Sequence, residues 1–138
     1  MSGETDLDSL LSCLKPELNA GEYVFCSAQT DSLPKGTEAV GWFREGEGTT
    51  LILPRHRADA LGLPYSFVSA WITLTVHSAL KAVGLTAAVS QALASAGISC
   101  NVVAASYHDH LFVPAGEARR AMEILINLSA KSRAGQQS

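Results

Sequence analysis

The 138-residue sequence is short of the features that mark the commoner functional classes. Its three cysteines, Cys13, Cys26 and Cys100, are odd in number and far apart, with no Cys-x-x-Cys pair. That removes support for zinc-ribbon or thioredoxin chemistry and leaves reduced, mostly buried thiols. Basic residues are scarce: ten Lys and Arg stand against thirteen Asp and Glu, for a net charge of −3. An electrostatic nucleic-acid binder shows a basic stripe, so that class is set aside. No apolar run reaches the roughly 20 residues of a membrane span. The opening MSGETDLDSLL is acidic and polar, unlike a signal or transit peptide, so a cytoplasmic location is expected. G-x-S-x-G, Walker, dinucleotide and His-Glu-x-x-His patterns are all missing. No catalytic residue and no cofactor is assigned.

Apolar residues make up 47% and charged residues 17%, enough for a packed core in one ordinary domain or two very small ones. In chain order, Leu7, Leu10, Leu11, Leu14 and Leu18 lie at helical spacing behind an N-cap at Thr5, so a helix is expected up to Asn19-Ala20-Gly21, with Pro16 disturbing its last turn. Strands follow over 22–28, 38–44 and 49–54, the last two joined by the turn Glu45-Gly46-Glu47-Gly48. That turn could receive a basic head group or a partner's lysine, or be solvated surface. Trp42 and Trp71 lie in strands, where core or interface packing is a simpler role than ligand stacking. A short helix runs over 55–62, His56 on its surface, and a long extended run over 65–77. In that run Ile72, Leu74 and Val76 share one face, and Trp71, Thr73, Thr75 and His77 the other. The first face should pack on helices, and the second is amphipathic. An alanine-rich helix from Leu85 stops at Gly97. Strands over 98–105 and 111–114, a hairpin tip at Tyr107-His108-Asp109-His110 and a last helix with inner residues Ala118, Ala121, Met122, Leu125 and Leu128 complete the pattern, before a polar tail from Lys131.

The chain also resembles itself. At an offset of 78, Leu7-Leu10-Leu11-Leu14 falls on Leu85-Ala88-Val89-Ala92 and Tyr23-Val24-Phe25 on Asn101-Val102-Val103. At an offset of 60, Leu51-Ile52-Leu53-Pro54 falls on Leu111-Phe112-Val113-Pro114, and Ala58 on Ala118. The change of offset suggests an insertion over 29–48. The first half lacks an opening strand and the second a closing one, so the long run 65–77 would serve both. The expected fold is α+β, with ferredoxin-like βαββαβ repeats sharing a long central strand. Expected divisions are 1–64, 65–130 and a flexible tail over 131–138.

The run VGLTAAVSQALASAGISCNVVAA resembles the signature of ACT domains, through Gly84, Leu85, Val89, Leu93, Gly97, Ile98 and Asn101. With the duplicated layout, the whole chain resembles small bacterial tandem ACT proteins, related to the regulatory ACT pairs of aspartate kinases and to arginine sensors. Val83-Gly84 stands where many ACT domains carry Pro-Gly. The resemblance implies a non-catalytic regulatory protein that binds an amino acid or similar small metabolite, as a homodimer, with a regulated protein as a further partner. The implied ligand residues are Ser78, Val83, Gly84, Leu85, Thr86 and Asn101. The physics is compatible, because a strand-to-helix turn offers free N–H groups and the positive end of a helix dipole to a carboxylate.

A rival site gathers at the other polar residues. First and third strands of a βαββαβ sheet are antiparallel neighbours, which would bring His77 close to His108, Asp109 and His110. Three imidazoles and a carboxylate could hold zinc or another divalent metal, with a metal-dependent enzyme as the corresponding function. Polar residues at a hairpin tip are equally the ordinary outcome of turn chemistry. A third reading is an interaction module whose open sheet face binds another protein.

Overall fold

The structure, a computed structural model, describes residues 9, 11–29, 33, 35–75 and 84–137. Seven strands form one mixed-length antiparallel sheet: β1 (Lys15–Leu18), β2 (Tyr23–Ala28), β3 (Gly41–Glu45), β4 (Gly48–Pro54), β5 (Val68–Thr75), β6 (Asn101–Ala104) and β7 (Asp109–Pro114). The helices α1 (Arg55–Leu61), α2 (Leu85–Ser95) and α3 (Ala118–Gln137) accompany them, the last preceded by a 3-10 turn over Ala115–Glu117. The strand order is β3-β4-β2-β5-β7-β6, with β1 also paired to β5. Among the described residues no helix is long and apolar enough to cross a membrane.

β5 is the shared element. Its early residues Val68 and Ser69 pair with Val24 and Tyr23 of β2, while Ile72 to Thr75 pair with Leu18 to Lys15 of β1. Along its other edge it pairs with β7 from Ser69↔Pro114 to Leu74↔Asp109. One half-sheet is therefore β3-β4-β2-β5 and the other β1-β5-β7-β6. Each has the strand arrangement of a ferredoxin-like unit. The chain is thus α+β, with two ferredoxin-like repeats on a common central strand. β1, from the start of the chain, fills the closing position that the second half lacks.

β1 corrects the helix expected to reach Leu18. Ser9, Leu11 and Ser12 are helical, and Leu14 N–H still donates to the Leu11 carbonyl at 3.1 Å. The chain then becomes extended. Pro16 cannot donate the next hydrogen bond and disfavours helical geometry at Lys15. Leu11 and Leu14 enter the core, but Leu18 is 47% exposed on the strand. Asn19-Ala20-Gly21 is the jog between β1 and β2. There the Asn19 backbone N–H and Nδ2 both donate to the Trp71 carbonyl, at 2.9 and 3.1 Å, and Nδ2 also reaches Thr73 Oγ1 at 2.9 Å. Gly21 takes a φ of 91°, which glycine adopts at little cost.

The register also corrects the alignment of the repeat. Gly41↔Ile52 on β3 and β4 is matched by Asn101↔Phe112 on β6 and β7, so the offset of 60 extends over both strands and into the following helices. Tyr23↔Pro54 is matched by Ser69↔Pro114. The counterpart of β2 is therefore β5, and not β6 as the offset of 78 suggested. The first half does have an opening strand. Among its described residues, no helix stands where α2 lies between β5 and β6. The stretch before β3 is a shortened connection and not an insertion.

The helix-side faces form two cores. The larger joins Leu11, Leu14, Ala70, Ile72, Leu74, Leu111 and Val113 to Leu85, Val89 and Leu93 of α2 and Ala121 and Leu125 of α3. The smaller joins Val24, Cys26, Ala28, Leu51 and Leu53 to Ala58 of α1, with Leu33 packed against it. α1 ends at Gly62 in the left-handed conformation, as expected from its glycine. α3 continues through the segment read as a polar tail to Gln137. The three thiols are free. Burial raises the pKa of Cys26 and pushes Cys100 up to about 11.

The opposite faces of the two half-sheets meet each other. Phe25 of β2 packs edge-on against Phe112 of β7 at 5.4 Å between centroids, and Tyr23 against Trp71 at 5.2 Å. β2 pairs with β5 over only two residues before diverging, so the sheet folds back at that point. The amphipathic face of β5 is thus covered by the other half of its own sheet.

Candidate functional site

The N-terminus of α2 follows Gly84, whose φ of 96° is strained for any residue with a Cβ. The Gly84 carbonyl accepts from Ala88 N–H at 2.8 Å and closes the first turn. As N-cap, glycine brings no side-chain acceptor, so it leaves the first N–H groups of the helix unsatisfied from that position. Leu85 anchors this end in the core at 1% exposure, and Thr86 is exposed beside it.

Asp109 enters the same place from β7. It alternates with Leu111 and Val113 on the helix-side face and lines one gap with Leu74, Leu85, Thr86 and Val89. That gap has no room for water. Asp109 is only 5% exposed, and its carboxyl makes no hydrogen bond to a described residue. Burial raises its pKa above the ordinary 3.8, against the pull of His110. Helix N–H donors and a poorly solvated carboxylate are the two kinds of partner that an α-amino acid head group needs, and Thr86 is the exposed residue at the edge of the gap.

The other expected ligand residues fall differently. Ser78 and Val83 lie outside the described residues. Asn101 is level with Phe112 and not with Asp109, whose partner on β6 is Ala104. Cross-strand partners share a face, and Phe112 belongs to the inner face, so Asn101 is on the opposite side of the sheet from α2. The structure joins Gly84, Leu85 and Thr86 to Asp109 and leaves Asn101 apart. Strand alternation from Leu111 could have found Asp109, had the strand been started two residues earlier.

The same alternation divides the expected metal ligands. Asp109 and His110 are strand residues and not hairpin tip, which spans 105–108 and is closed by Ala105 N–H to the His108 carbonyl at 3.0 Å. His108 and His110 are near each other, with ring centroids 6.2 Å apart. Asp109 faces the helices, whereas His110 lies by Trp71 on the inner face, its Nδ1 3.0 Å from Trp71 Nε1. His108 Nδ1 is buried without a partner. His77 lies outside the described residues. Among the described residues no three His, Cys, Asp or Glu side chains are grouped to hold a metal.

The other candidates are simpler. Glu45 accepts from Thr50 Oγ1 within the β3–β4 hairpin. Trp71 packs internally against Tyr23 and Phe112, and Trp42 is 62% exposed, outside the core.

Two ACT-domain models match the chain, one over residues 2–70 and the other over 66–127. The chain belongs to the ACT-domain family. The two ACT matches overlap over residues 66–70, which include the first residues of β5. A crystal structure from Vibrio cholerae, of a protein of unknown function described as a possible transport protein, is 45% identical to this ACT protein. The match covers 93% of this chain and 99% of that one, with a TM-score of 0.84. A protein from Agrobacterium tumefaciens matches at 19% identity over 84% of this chain and 89% of that one, with a TM-score of 0.66. The regulatory subunit of aspartate kinase from Thermus thermophilus matches at 10% identity, over 82% and 95% of the two chains, with a TM-score of 0.58. The last two likenesses speak for the fold. No curated protein matches the chain. ACT domains are typically regulatory binders of small molecules, and this chain carries two in tandem.

Proposed function

We propose that this ACT protein is a non-catalytic sensor of an amino acid or similar metabolite, working as a cytoplasmic homodimer whose ligand state is read by a regulated protein. Its units would be 1–64 and 65–130, meeting ahead of β5, with 131–138 outside both. Family membership supports the regulatory class. The observation that carries the reading is Asp109, a buried carboxyl held beside the N-terminus of α2. The ligand carboxylate takes the N–H groups near Gly84 and Thr86, and the ligand ammonium takes Asp109.

Thermal-shift measurement against the twenty amino acids tests this, with Asp109→Asn as the informative variant. The unliganded variant should be more stable than the parent at neutral pH, by on the order of 1 kcal/mol, because it removes a charge from a dry site. The sign follows from linkage. A raised folded pKa means the native state holds its proton longer, so parent stability falls as pH rises from about 3.8 through the folded value. The variant should lose both this slope and the amino-acid-induced shift. An amino-acid shift that survives Asp109→Asn, or the absence of any shift with the parent, refutes the assignment.

A further inference from the structure

The cleft where the two half-sheets face each other is a separate chamber, on the opposite side of the sheet from α2. It has a volume of about 250 Å³, and its walls include Gly41, Ile52, Trp71, Val103, His110 and Phe112. None of its lining residues is Asp, Glu, Lys or Arg. Trp71 and Phe112 present nearly parallel rings, 15° apart at 6.2 Å, so the chamber has a flat aromatic wall. At the registered pair Gly41↔Ile52, glycine contributes no side chain, and a Cβ placed there would meet Ile52 Cδ1 at an ordinary 4.0 Å. The space is kept open by the absence of a side chain and not by backbone constraint.

One polar group serves this space, and its chemistry is fixed by its neighbour. An indole N–H can only donate, so the bond from Trp71 Nε1 to His110 Nδ1 requires a lone pair on Nδ1. Neutral His110 must then carry its proton on Nε2. No described residue accepts from Nε2, and that atom is not sealed from solvent. The chamber therefore combines apolar walls, a flat ring surface and a single neutral donor. A charged amino acid head group would lose its hydration here without finding a counter-charge.

We propose that this chamber binds a small, uncharged, ring-containing molecule with one carbonyl-type acceptor, its ring against Trp71 and Phe112 and its oxygen on His110 Nε2–H. The site is independent of the amino-acid site beside Asp109, and either can exist without the other.

The test is a titration of the full chain with acetophenone, followed by ¹H–¹⁵N spectra. The Trp71 indole N–H and the Gly41 amide should shift saturably at millimolar concentration, while the Gly84 and Thr86 amides stay in place. Gly41→Leu fills the chamber from an edge strand that tolerates a larger side chain, and should abolish saturation. His110→Phe keeps a ring but removes the donor, and should weaken binding about three- to tenfold. The proposal is overturned if no saturable shift appears in the parent, if Gly41→Leu leaves the titration unchanged, or if the shifts centre on Gly84 and Thr86.

Discussion

The two halves of the molecule follow the same template and differ by one helix. β3, β4 and α1 of the first half repeat as β6, β7 and α3 of the second in the same register, yet among the described residues only the second half places a helix between its first two strands. The cost shows at equivalent positions. Val102 packs against the core below α2, whereas its counterpart Trp42 is 62% exposed on an edge strand. Among the described residues, a helix beginning next to a buried carboxyl exists only in the second half. The proposed amino-acid site therefore has no counterpart among the described residues of the first half. That half contributes a wall to the chamber and a partner for β5.

Leu51 and Leu111 offer the sharpest test of that contrast. They are equivalent and almost fully buried, at 0% and 1% exposure. Truncation to alanine should cost roughly 2–5 kcal/mol at each. The Leu111 value should be the larger, because its core is closed by both α2 and α3 and has less freedom to collapse. Urea unfolding of the two variants measures this, and equal costs would mean that the missing helix contributes nothing to rigidity.

A smaller effect concerns the imidazole on the inner face. The pKa of His110 is lowered from 6.5 by burial and then by His108, against the opposing pull of Asp109. Below about 6.5 the unfolded chain therefore binds a proton that the native chain resists, and stability falls as the pH drops. Protonation also puts a second donor against the Trp71 N–H. His110→Phe should flatten this acidic limb in unfolding curves taken at successive pH values, while no substitution at Trp42 should alter it. The smallest expected change is Trp42→Thr, within about 0.5 kcal/mol of the parent, since an exposed side chain has little burial to lose. A loss above ~1 kcal/mol would show that the edge of the first half is covered in solution.

Much of this was readable in the residues themselves. The offset of 60 is visible because Leu-x-x-Pro and the helix behind it meet the same packing demand twice. The two-faced character of β5 followed from its alternation. β1 was hidden because Leu7, Leu10, Leu11, Leu14 and Leu18 fit a helical stripe, and only Pro16 argued otherwise. The counterpart of β2 was misassigned because short apolar strands look alike, and pairing partners alone distinguish them. Asp109 was grouped with its histidine neighbours by sequence proximity, although alternate strand residues point to opposite faces. The chamber was not legible at all. It depends on the fold-back after Val24, which brings Gly41 and Ile52 to Trp71 and His110 across the sheet.

The pairing of β1 with the far end of β5 also sets an order of events. β1 is the first strand to be synthesised, but its partners are residues 72–75, and the helix that covers it does not begin until Ala118. Ser129 Oγ donates to the Ser12 carbonyl at 3.2 Å, tying the last helix to the first turn. β1 can reach its final position only when residues 72–75 and the helix from Ala118 have been made. Such long-range closure is the kind that slows folding. The second half, later in sequence, is thus completed by residues 15–18, which precede every strand of the first half.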